Sequence, residues 1–118
     1  MAEHNLTGNQ GEALAATWLA QNGYRVLHQN WRHSRWEVDI IAEKDGILHF
    51  VEVKTRRSKR FGEPEESVDR AKIRYLLKAG AHYQYAHPQW KRVQYDVLSI
   101  TLVTGKPPAY FYIEDIYL

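Results

Sequence analysis

The chain has 118 residues, of which 44% are hydrophobic, 25% charged and 13% aromatic, and these proportions are typical of one folded domain rather than a disordered chain. The net charge of only +2 gives little support for a polyanionic partner, and the absence of cysteine excludes disulfides, thiolate zinc sites and cysteine nucleophiles. Because no apolar run reaches membrane-spanning length and the first ten residues do not resemble a signal peptide, we expect one cytoplasmic domain over residues 1–118, with no membrane association.

The first half of the chain predicts one helix and three strands. Alanine and leucine at three-to-four spacing predict a helix over residues 9–22, and Gly23 is a suitable helix stop. Strands are predicted over residues 24–28, 37–43 and 47–55. The polar residues 29–35 predict a turn or an irregular extension of the first strand.

The second half predicts a basic loop, a helix and two strands. The loop covers residues 56–63, and Pro64 begins a helix that runs to Ala86. Strands are predicted over residues 91–103 and 109–117, with a turn between them. The resulting order, α-β-β-β-α-β-β, indicates an α/β fold.

The Asp45-Gly46 pair predicts a two-residue hairpin turn, since both positions tolerate positive φ. With this turn Lys44 pairs with Ile47. A three-residue turn would shift the register by one residue and send the side chains of the second strand to the opposite face.

The predicted register collects four charged residues at the strand ends far from the turn. Asp39 is placed opposite Glu52, and Glu37 opposite Lys54, all on one face of the sheet. That face also carries Ile41, Leu48 and Phe50, whereas the other face carries Val38, Ile40, Ala42, Val51 and Val53. Because a sheet that is apolar on both faces is covered on both sides, we expect the charged cluster at the rim of a buried layer.

Two neighbouring carboxylates repel each other unless a cation or a proton intervenes. Magnesium binds one or two carboxylates and keeps several waters, which leaves positions for phosphate oxygens. Lys54 on the same face could hold an attacking water or stabilise charge on a phosphate. The pattern favours metal-dependent phosphodiester hydrolysis, but half-exposed strand ends joined by salt bridges would give the same spacing.

Asp39 followed by Glu52-Val53-Lys54 resembles the PD-(D/E)XK nuclease motif, with Val38 in place of the proline. The whole chain more closely resembles the YraN family of small bacterial proteins, described as predicted endonucleases. Gln94 departs from the arginine that the family often has there. The matching segments are Gly8–Glu12, Gly23-Tyr24, Asn30, Glu37–Ala42, Phe50–Lys54 with Arg56, Phe61-Gly62, Lys72 and Tyr95–Val97.

The resemblance implies a restriction-endonuclease-like α-β-β-β-α-β core, with a mixed sheet flanked by helices on both faces. It implies that Asp39 and Glu52 bind Mg²⁺ or Mn²⁺, with the Val53 carbonyl as a further ligand, and that Lys54 is the catalytic lysine. Glu12 would be another acidic member of the site, although a glutamate in the first helical turn is also favoured by the helix dipole. The expected substrate is DNA, including branched or structured DNA.

Two basic segments are candidates for phosphate contact, which would position a nucleic acid without reading its sequence. The loop after Lys54 contributes Arg56, Arg57, Lys59 and Arg60. The second helix contributes Arg70, Arg74 and Lys78 at four-residue spacing, although this stripe is better explained as a solvated helix face. Lys72 joins the candidates through the family resemblance.

Other residues give weaker signals. The six histidines show no metal-ligand spacing, so His49 is expected to be structural, as is Asp96 in its strand. An exposed aromatic patch on the last strand would support a homodimer. The alternatives to a nuclease are a non-catalytic nucleic-acid-binding module that retains the fold, and a small interaction protein.

Overall fold

The computed structural model describes residues 2–57 and 70–116, and it describes side chains from residue 10 onwards. The predicted order of elements, α-β-β-β-α-β-β, is confirmed. The elements are α1 (Ala2–Gln21), β1 (Arg25–His33), β2 (Trp36–Lys44), β3 (Ile47–Arg56), α2 (Arg70–Ala86), β4 (Val93–Thr101) and β5 (Ala109–Ile113).

The five strands form one mixed sheet in the order β1-β2-β3-β4-β5. Neighbouring strands are antiparallel except β3 and β4, which are parallel and lie on either side of α2 in the chain. A parallel pair needs such a crossover connection. The α/β fold with a helix on each face of a mixed sheet is therefore confirmed and is consistent with a restriction-endonuclease-like core. Neither helix, over the residues described, combines the length and the apolar character that crossing a bilayer requires.

Helix α1 packs on one face of the sheet through Ala15 and Leu19, which are fully buried against Ile40, Val51 and Leu98. Near its start the helix approaches β3 so closely that a Cβ atom added at Gly11 would overlap the side chain of Thr55. Glycine at this position therefore allows α1 to lie directly on the strand.

Helix α2 packs on the opposite face. Its buried residues follow helical spacing and contact the apolar side chains of β2, β3 and β4. They are Ile73, Leu76, Ala79, Gly80 and Tyr83. At Gly80 an added Cβ atom would lie 2.6 Å from the Tyr95 ring and 3.1 Å from the Phe50 ring, so this helix also touches the sheet through a glycine.

The Asp45-Gly46 turn forms as predicted, with φ angles of 54° and 81°. The register is confirmed from Lys44–Ile47 to Ile40–Val51. Among the described residues, the β2–β3 pairing ends there. Asp39 and Glu52 therefore lie one position beyond the last paired residues, where the strands are no longer held together by the ladder.

The prediction that Val38 shares a face with Ile40 is wrong. Val38 packs with Ile41 and α2, whereas Ile40 packs with α1. The alternation is broken at Asp39, where the β1–β2 ladder is also interrupted: it passes from Gln29–Ile40 to Trp31–Val38, and the intervening Asn30 has a φ of 54°. Asparagine tolerates this left-handed conformation better than most residues.

Other boundaries differ from the predictions. Helix α1 begins at Ala2 rather than residue 9. Of the two alternatives for the polar segment, an extension of the first strand is confirmed, because β1 continues to His33 as an edge strand whose side chains are largely exposed. Strand β4 spans Val93–Thr101 and β5 ends at Ile113, so both are shorter than predicted. The predicted helix start at Pro64 lies outside the described residues, as do Phe61 and Gly62 of the family resemblance.

Candidate metal and nucleic-acid site

A cavity of about 330 Å³ lies where the ends of β2 and β3 meet the β1–β2 turn and the first turns of α2. Its described wall carries three carboxylates and two basic side chains, a net charge of −1. The lining residues are Arg35, Glu37, Asp39, Glu52, Val53, Lys72, Tyr75 and Leu76. The predicted metal ligands Asp39, Glu52 and Val53 are thus brought to one cavity.

Asp39 is a partly buried carboxylate of this cavity, as is Glu52. The backbone N–H of Val53 donates a hydrogen bond of 2.8 Å to its Oδ2 atom, which ties the end of β2 to β3 beyond the last paired residues. Burial raises the pKa of Asp39, and the charge of Glu37 raises it further, while the Val53 hydrogen bond and the charges of Lys72 and Lys54 act in the opposite direction. The net increase means that this carboxylate is under-compensated.

Glu12 reaches the same cluster from α1. Burial raises the pKa of Glu12, and the charges of Asp39 and then Glu37 raise it further, so the three carboxylates are close enough to interact. The close contact of Gly11 with Thr55 explains how the helix brings Glu12 to this end of the sheet. The predicted acidic group therefore includes Glu12, although this residue is not among the described wall residues of the cavity.

Lys54 is partly buried on β3 and pairs with Ser99 of β4. Its charge lowers the pKa of Asp39, which places it within electrostatic range of the predicted ligands. Like Glu12, it is not one of the wall residues described for the cavity. Lys54 therefore approaches the acidic cluster from the strand, whereas Lys72 approaches it from α2.

Lys72 and the arginine stripe lie on different sides of α2. Residues of a helix are separated by about 100°, so Lys72 shares an arc with Leu76 and Tyr83, which face the sheet. Arg74 and Lys78 lie on the opposite, exposed arc with Arg70. Of the basic residues predicted on this helix, Lys72 is the one that enters the cavity wall.

The basic residues after Lys54 do not form one loop. Arg56 belongs to β3 rather than to a loop, is partly buried, and its Nε atom donates to Thr101 Oγ1 at 3.4 Å. Arg57 is exposed just beyond the strand. Lys59 and Arg60 lie outside the described residues, so the prediction of phosphate contacts from them stays a prediction.

Besides the apolar Leu76, two cavity residues were not predicted from the sequence. Arg35 lies in the β1–β2 turn, and Tyr75 lies three residues after Lys72 on α2 with 53% of its surface exposed. Neither residue belongs to the sequence motif. Their place beside the motif residues can be recognised only once the fold is known. Tyr75 is nevertheless on the same side of α2 as Lys72, because residues three apart are neighbours on a helix.

The donor set fits a hard divalent cation held by two carboxylates. Asp39 and Glu52 supply oxygen ligands in a cavity with excess negative charge, which is the set that Mg²⁺ uses when it retains several waters. Within residues 10–57 and 70–116 no group of three or more histidine or acidic side chains has the arrangement of a complete metal site. The cavity therefore suits a water-rich Mg²⁺ or Mn²⁺ site rather than a closed protein cage.

A second buried carboxylate, Asp96, lies on β4, where it pairs with Val51 of β3. Asp96 is fully buried, and its Oδ2 atom lies 2.7 Å from His49 Nδ1 and accepts a hydrogen bond of 2.5 Å from the Tyr112 hydroxyl. Its Oδ1 atom accepts hydrogen bonds from the Asp115 N–H and Gln94 Nε2 at 2.9 and 3.2 Å. The network joins β3, β4 and β5, and it agrees with the prediction that His49 and Asp96 are structural.

Comparison with known proteins gives a consistent result. A family model described as "Uncharacterised protein family UPF0102" matches residues 11–100. A UPF0102 protein of Phocaeicola vulgatus is 42% identical over 116 residues, covering 98% of this chain and 93% of that protein. Relatives with the same description from Syntrophomonas wolfei and Flavobacterium psychrophilum are 45% and 42% identical over 100 residues, covering 84% and 85% of this chain and 87% and 84% of theirs.

The matched region begins at Gly11 and includes every predicted ligand, Lys54 and the cavity residues of α2. The family model therefore covers α1 from Gly11 onwards, strands β1 to β3 and most of β4. The chain belongs to the uncharacterised protein family UPF0102, the YraN family that its motifs indicate.

Proposed function

We propose that this protein is a Mg²⁺- or Mn²⁺-dependent nuclease that hydrolyses phosphodiester bonds in DNA. The proposal is carried by one observation: Asp39 and Glu52 line the same cavity as Lys72, and Lys54 acts on Asp39 from the adjoining strand. Carboxylates that bind a metal and cations that contact a phosphate are both needed for this chemistry.

The negative charge of the cavity wall explains why a metal ion would have to bind before the phosphodiester. The cavity wall has a net charge of −1 and Glu12 lies close to it, so a phosphodiester alone would be repelled. A divalent cation on Asp39 and Glu52 would reverse that charge and, when bound, act as a Lewis acid on the phosphate. The raised pKa values of Asp39 and Glu12 support this proposal, since burial and then the neighbouring carboxylates disfavour the charged forms, which a bound cation would stabilise.

The chain's own residues take distinct roles in the proposal. Val53 holds Asp39 in position through its N–H, and its carbonyl is the proposed third protein ligand. Lys54 stabilises the negative charge that develops on the phosphate or orients the attacking water. Lys72 contacts the phosphate from the α2 side, and Glu12 contributes a further carboxylate near Asp39.

The runner-up is a nucleic-acid-binding module without catalysis. One observation favours it: the exposed stripe of Arg70, Arg74 and Lys78 faces away from the sheet, so it could hold phosphates without the cavity. Such contacts would bind nucleic acid independently of Asp39 and of a divalent cation. The two proposals therefore differ in their dependence on metal.

The test is cleavage of a panel of linear duplex, branched and single-stranded DNA with Mn²⁺ or Mg²⁺. We expect Lys54→Ala to lower the cleavage rate by roughly 100-fold or more, the scale reported for removal of one group that stabilises transition-state charge. Asp39→Ala should lower both cleavage and Mn²⁺ affinity. Glu114→Gln is a matched control, because it removes an exposed carboxylate just beyond the edge strand β5 and outside the described wall of the cavity.

Activity that survives both Lys54→Ala and Asp39→Ala would show that another site or a contaminant cuts the DNA. Binding without any cleavage, unchanged by Asp39→Ala and by chelation of the metal, would favour the binding module. Loss of binding in an Arg70, Arg74 and Lys78 triple alanine variant would then identify the surface responsible.

A further inference from the structure

Tyr75 places an exposed aromatic ring in the wall of a charged cavity. More than half of its surface is accessible, at 53%, although it lies between Lys72 and Leu76 on the helix that covers this face of the sheet. The buried face of α2 consists of other residues, with Ile73 and Leu76 completing the core at this end. Tyr75 is therefore not needed to close the core, and its ring is available at the cavity mouth.

The surroundings of Tyr75 suit a nucleotide rather than a protein side chain. Lys72 lies one helical turn from Tyr75 and could bind a phosphate. Arg35 of the β1–β2 turn contributes to the same cavity wall. Aromatic rings and guanidinium planes both stack on nucleobases, and stacking tolerates any base because every base has a π-face. The cavity thus offers a surface for a base beside the carboxylates proposed to hold the metal.

A base can use this surface only if it has left its own stack. In a continuous duplex both faces of each base are covered by neighbouring bases, and exposing one requires unstacking at a cost of a few kcal/mol. An unpaired nucleotide in a single strand, flap or branch has already lost part of this stacking. A ring next to the proposed metal site would therefore discriminate by strand structure rather than by sequence.

From this arrangement we infer that Tyr75 stacks on an unpaired nucleobase next to the scissile phosphate, so that the preferred substrates are DNA strands with unpaired nucleotides at the cleavage position. This inference rests on the proposed nuclease function and adds its substrate class. Tyr75 acts as a specificity-determining residue, and Arg35 provides a second planar group on the same cavity wall.

Binding measured with Ca²⁺ tests the inference on three fluorescent probes: a 20-nucleotide single strand, a fork with unpaired arms and the matching blunt duplex. Tyr75→Ala is expected to weaken binding of the single strand and the fork by roughly 5- to 100-fold, the range for loss of one base–aromatic stack. Duplex binding should change by less than about twofold. Tyr75→Phe should retain wild-type binding, because the ring is preserved.

The matched control is Tyr85→Ala, which removes a tyrosine that is 88% exposed on the same helix but lines a different surface, beside Trp90 and Lys91. It should leave binding of all three probes unchanged. A second measurement needs no variant: 2-aminopurine placed at the cleavage position of the fork should lose fluorescence when the wild-type protein binds, because stacking quenches it. Circular dichroism confirms that each variant is folded.

The outcomes separate this inference from the proposed function. Equal binding of all probes by Tyr75→Ala and Tyr85→Ala, with no 2-aminopurine quenching in the wild type, would overturn the role of Tyr75 even if cleavage still requires Lys54. A wild-type protein that binds none of the probes, with or without a divalent cation, would overturn both. Equal weakening for duplex and single strand would make Tyr75 a general contact and also contradict the inference.

Discussion

Two carboxylates of the sheet, Asp96 on β4 and Asp39 on β2, are buried or partly buried, and their surroundings differ. Asp96 is fully buried and has four partners for its two oxygens: His49, Tyr112, Gln94 and the Asp115 N–H. By contrast, Asp39 accepts a hydrogen bond from the Val53 N–H, but it shares its surroundings with the carboxylates of Glu37 and Glu12. The described wall of the cavity beside Asp39 also contains Glu37 and Glu52, so three carboxylates share it.

The difference indicates which carboxylate stabilises the fold and which is retained at a cost to it. A buried charge that is matched by donors helps to hold β3, β4 and β5 together, whereas neighbouring carboxylates with raised pKa values weaken the folded state at neutral pH. Strained or under-compensated groups concentrate at functional sites. The comparison therefore separates a structural network from a candidate binding site within one sheet.

The largest effect on stability is expected at Asp96. Asp96→Ala would leave His49, the Tyr112 hydroxyl and the Asp115 N–H buried without their acceptor, so it should lower the free energy of unfolding by about 3–5 kcal/mol. Urea unfolding at pH 7 measures this change. Glu114→Gln, at an exposed position near the same network, should change it by less than about 0.5 kcal/mol.

If Asp96→Ala changed the free energy of unfolding as little as Glu114→Gln, the four contacts to Asp96 would not contribute to stability. The distinction between Asp96 and Asp39 would then fail. Both variants are compared with the wild type at pH 7 only.

A smaller effect is expected where α1 contacts β3. Gly11→Ala should cost about 1–3 kcal/mol, because the new methyl group would overlap Thr55 and force the helix or strand to shift. Gln10→Ala is the control, since Gln10 is exposed on the preceding position. Thr55→Ala should partly relieve the cost in a double-mutant cycle. Purely additive losses would show that the helix does not rest on Thr55, and would leave the placement of Glu12 without its explanation.

The smallest effect has the opposite sign. Asp39→Asn should raise the free energy of unfolding of the metal-free protein by about 1 kcal/mol at pH 7, a typical gain when an under-compensated functional group is replaced. Asparagine keeps an oxygen that can accept from the Val53 N–H, so the tie between the strands is preserved. Thermal unfolding in EDTA should show an increase in Tm of about 3–5 °C.

The pH dependence follows from the direction of the pKa shift. Burial and Glu37 raise the pKa of Asp39 above its ordinary value of 3.8, so the folded state binds the proton more tightly than the unfolded state. The stabilising contribution of protonated Asp39 is present below 3.8 and is lost as pH rises through the higher folded value. The advantage of Asp39→Asn should therefore be small at pH 3.5 and full at pH 7. An advantage that grows toward low pH would contradict the raised pKa.

The sequence predicted the parts of the fold that depend on local chemistry. The Asp45-Gly46 turn sets the β2–β3 register, because the two residues adopt the positive φ angles that a tight hairpin requires. The same turn brought Asp39 and Glu52 to neighbouring positions in the prediction, and both line the cavity in the structure.

The parts that depend on tertiary contacts were not predictable in the same way. The coupled irregularity at Asn30 and Asp39, which moves Val38 to the α2 face, has no local signal stronger than an asparagine within a strand. Tyr75 and Arg35 enter the site only because α2 and the β1–β2 turn fold over the same end of the sheet. The position of Lys72 beside the cavity, away from the stripe of Arg70, Arg74 and Lys78, likewise follows only from the buried face of α2.

Binding of Mn²⁺ followed by electron paramagnetic resonance tests the central claim most directly, namely that Asp39 and Glu52 of this cavity hold a divalent cation. The wild-type protein and Glu114→Gln should bind Mn²⁺ with the same affinity, whereas Asp39→Asn and Glu52→Gln, if folded, should lose at least about tenfold in affinity. Wild-type affinity in both site variants, or no binding by the wild type, would contradict the assignment of this cavity as a metal site.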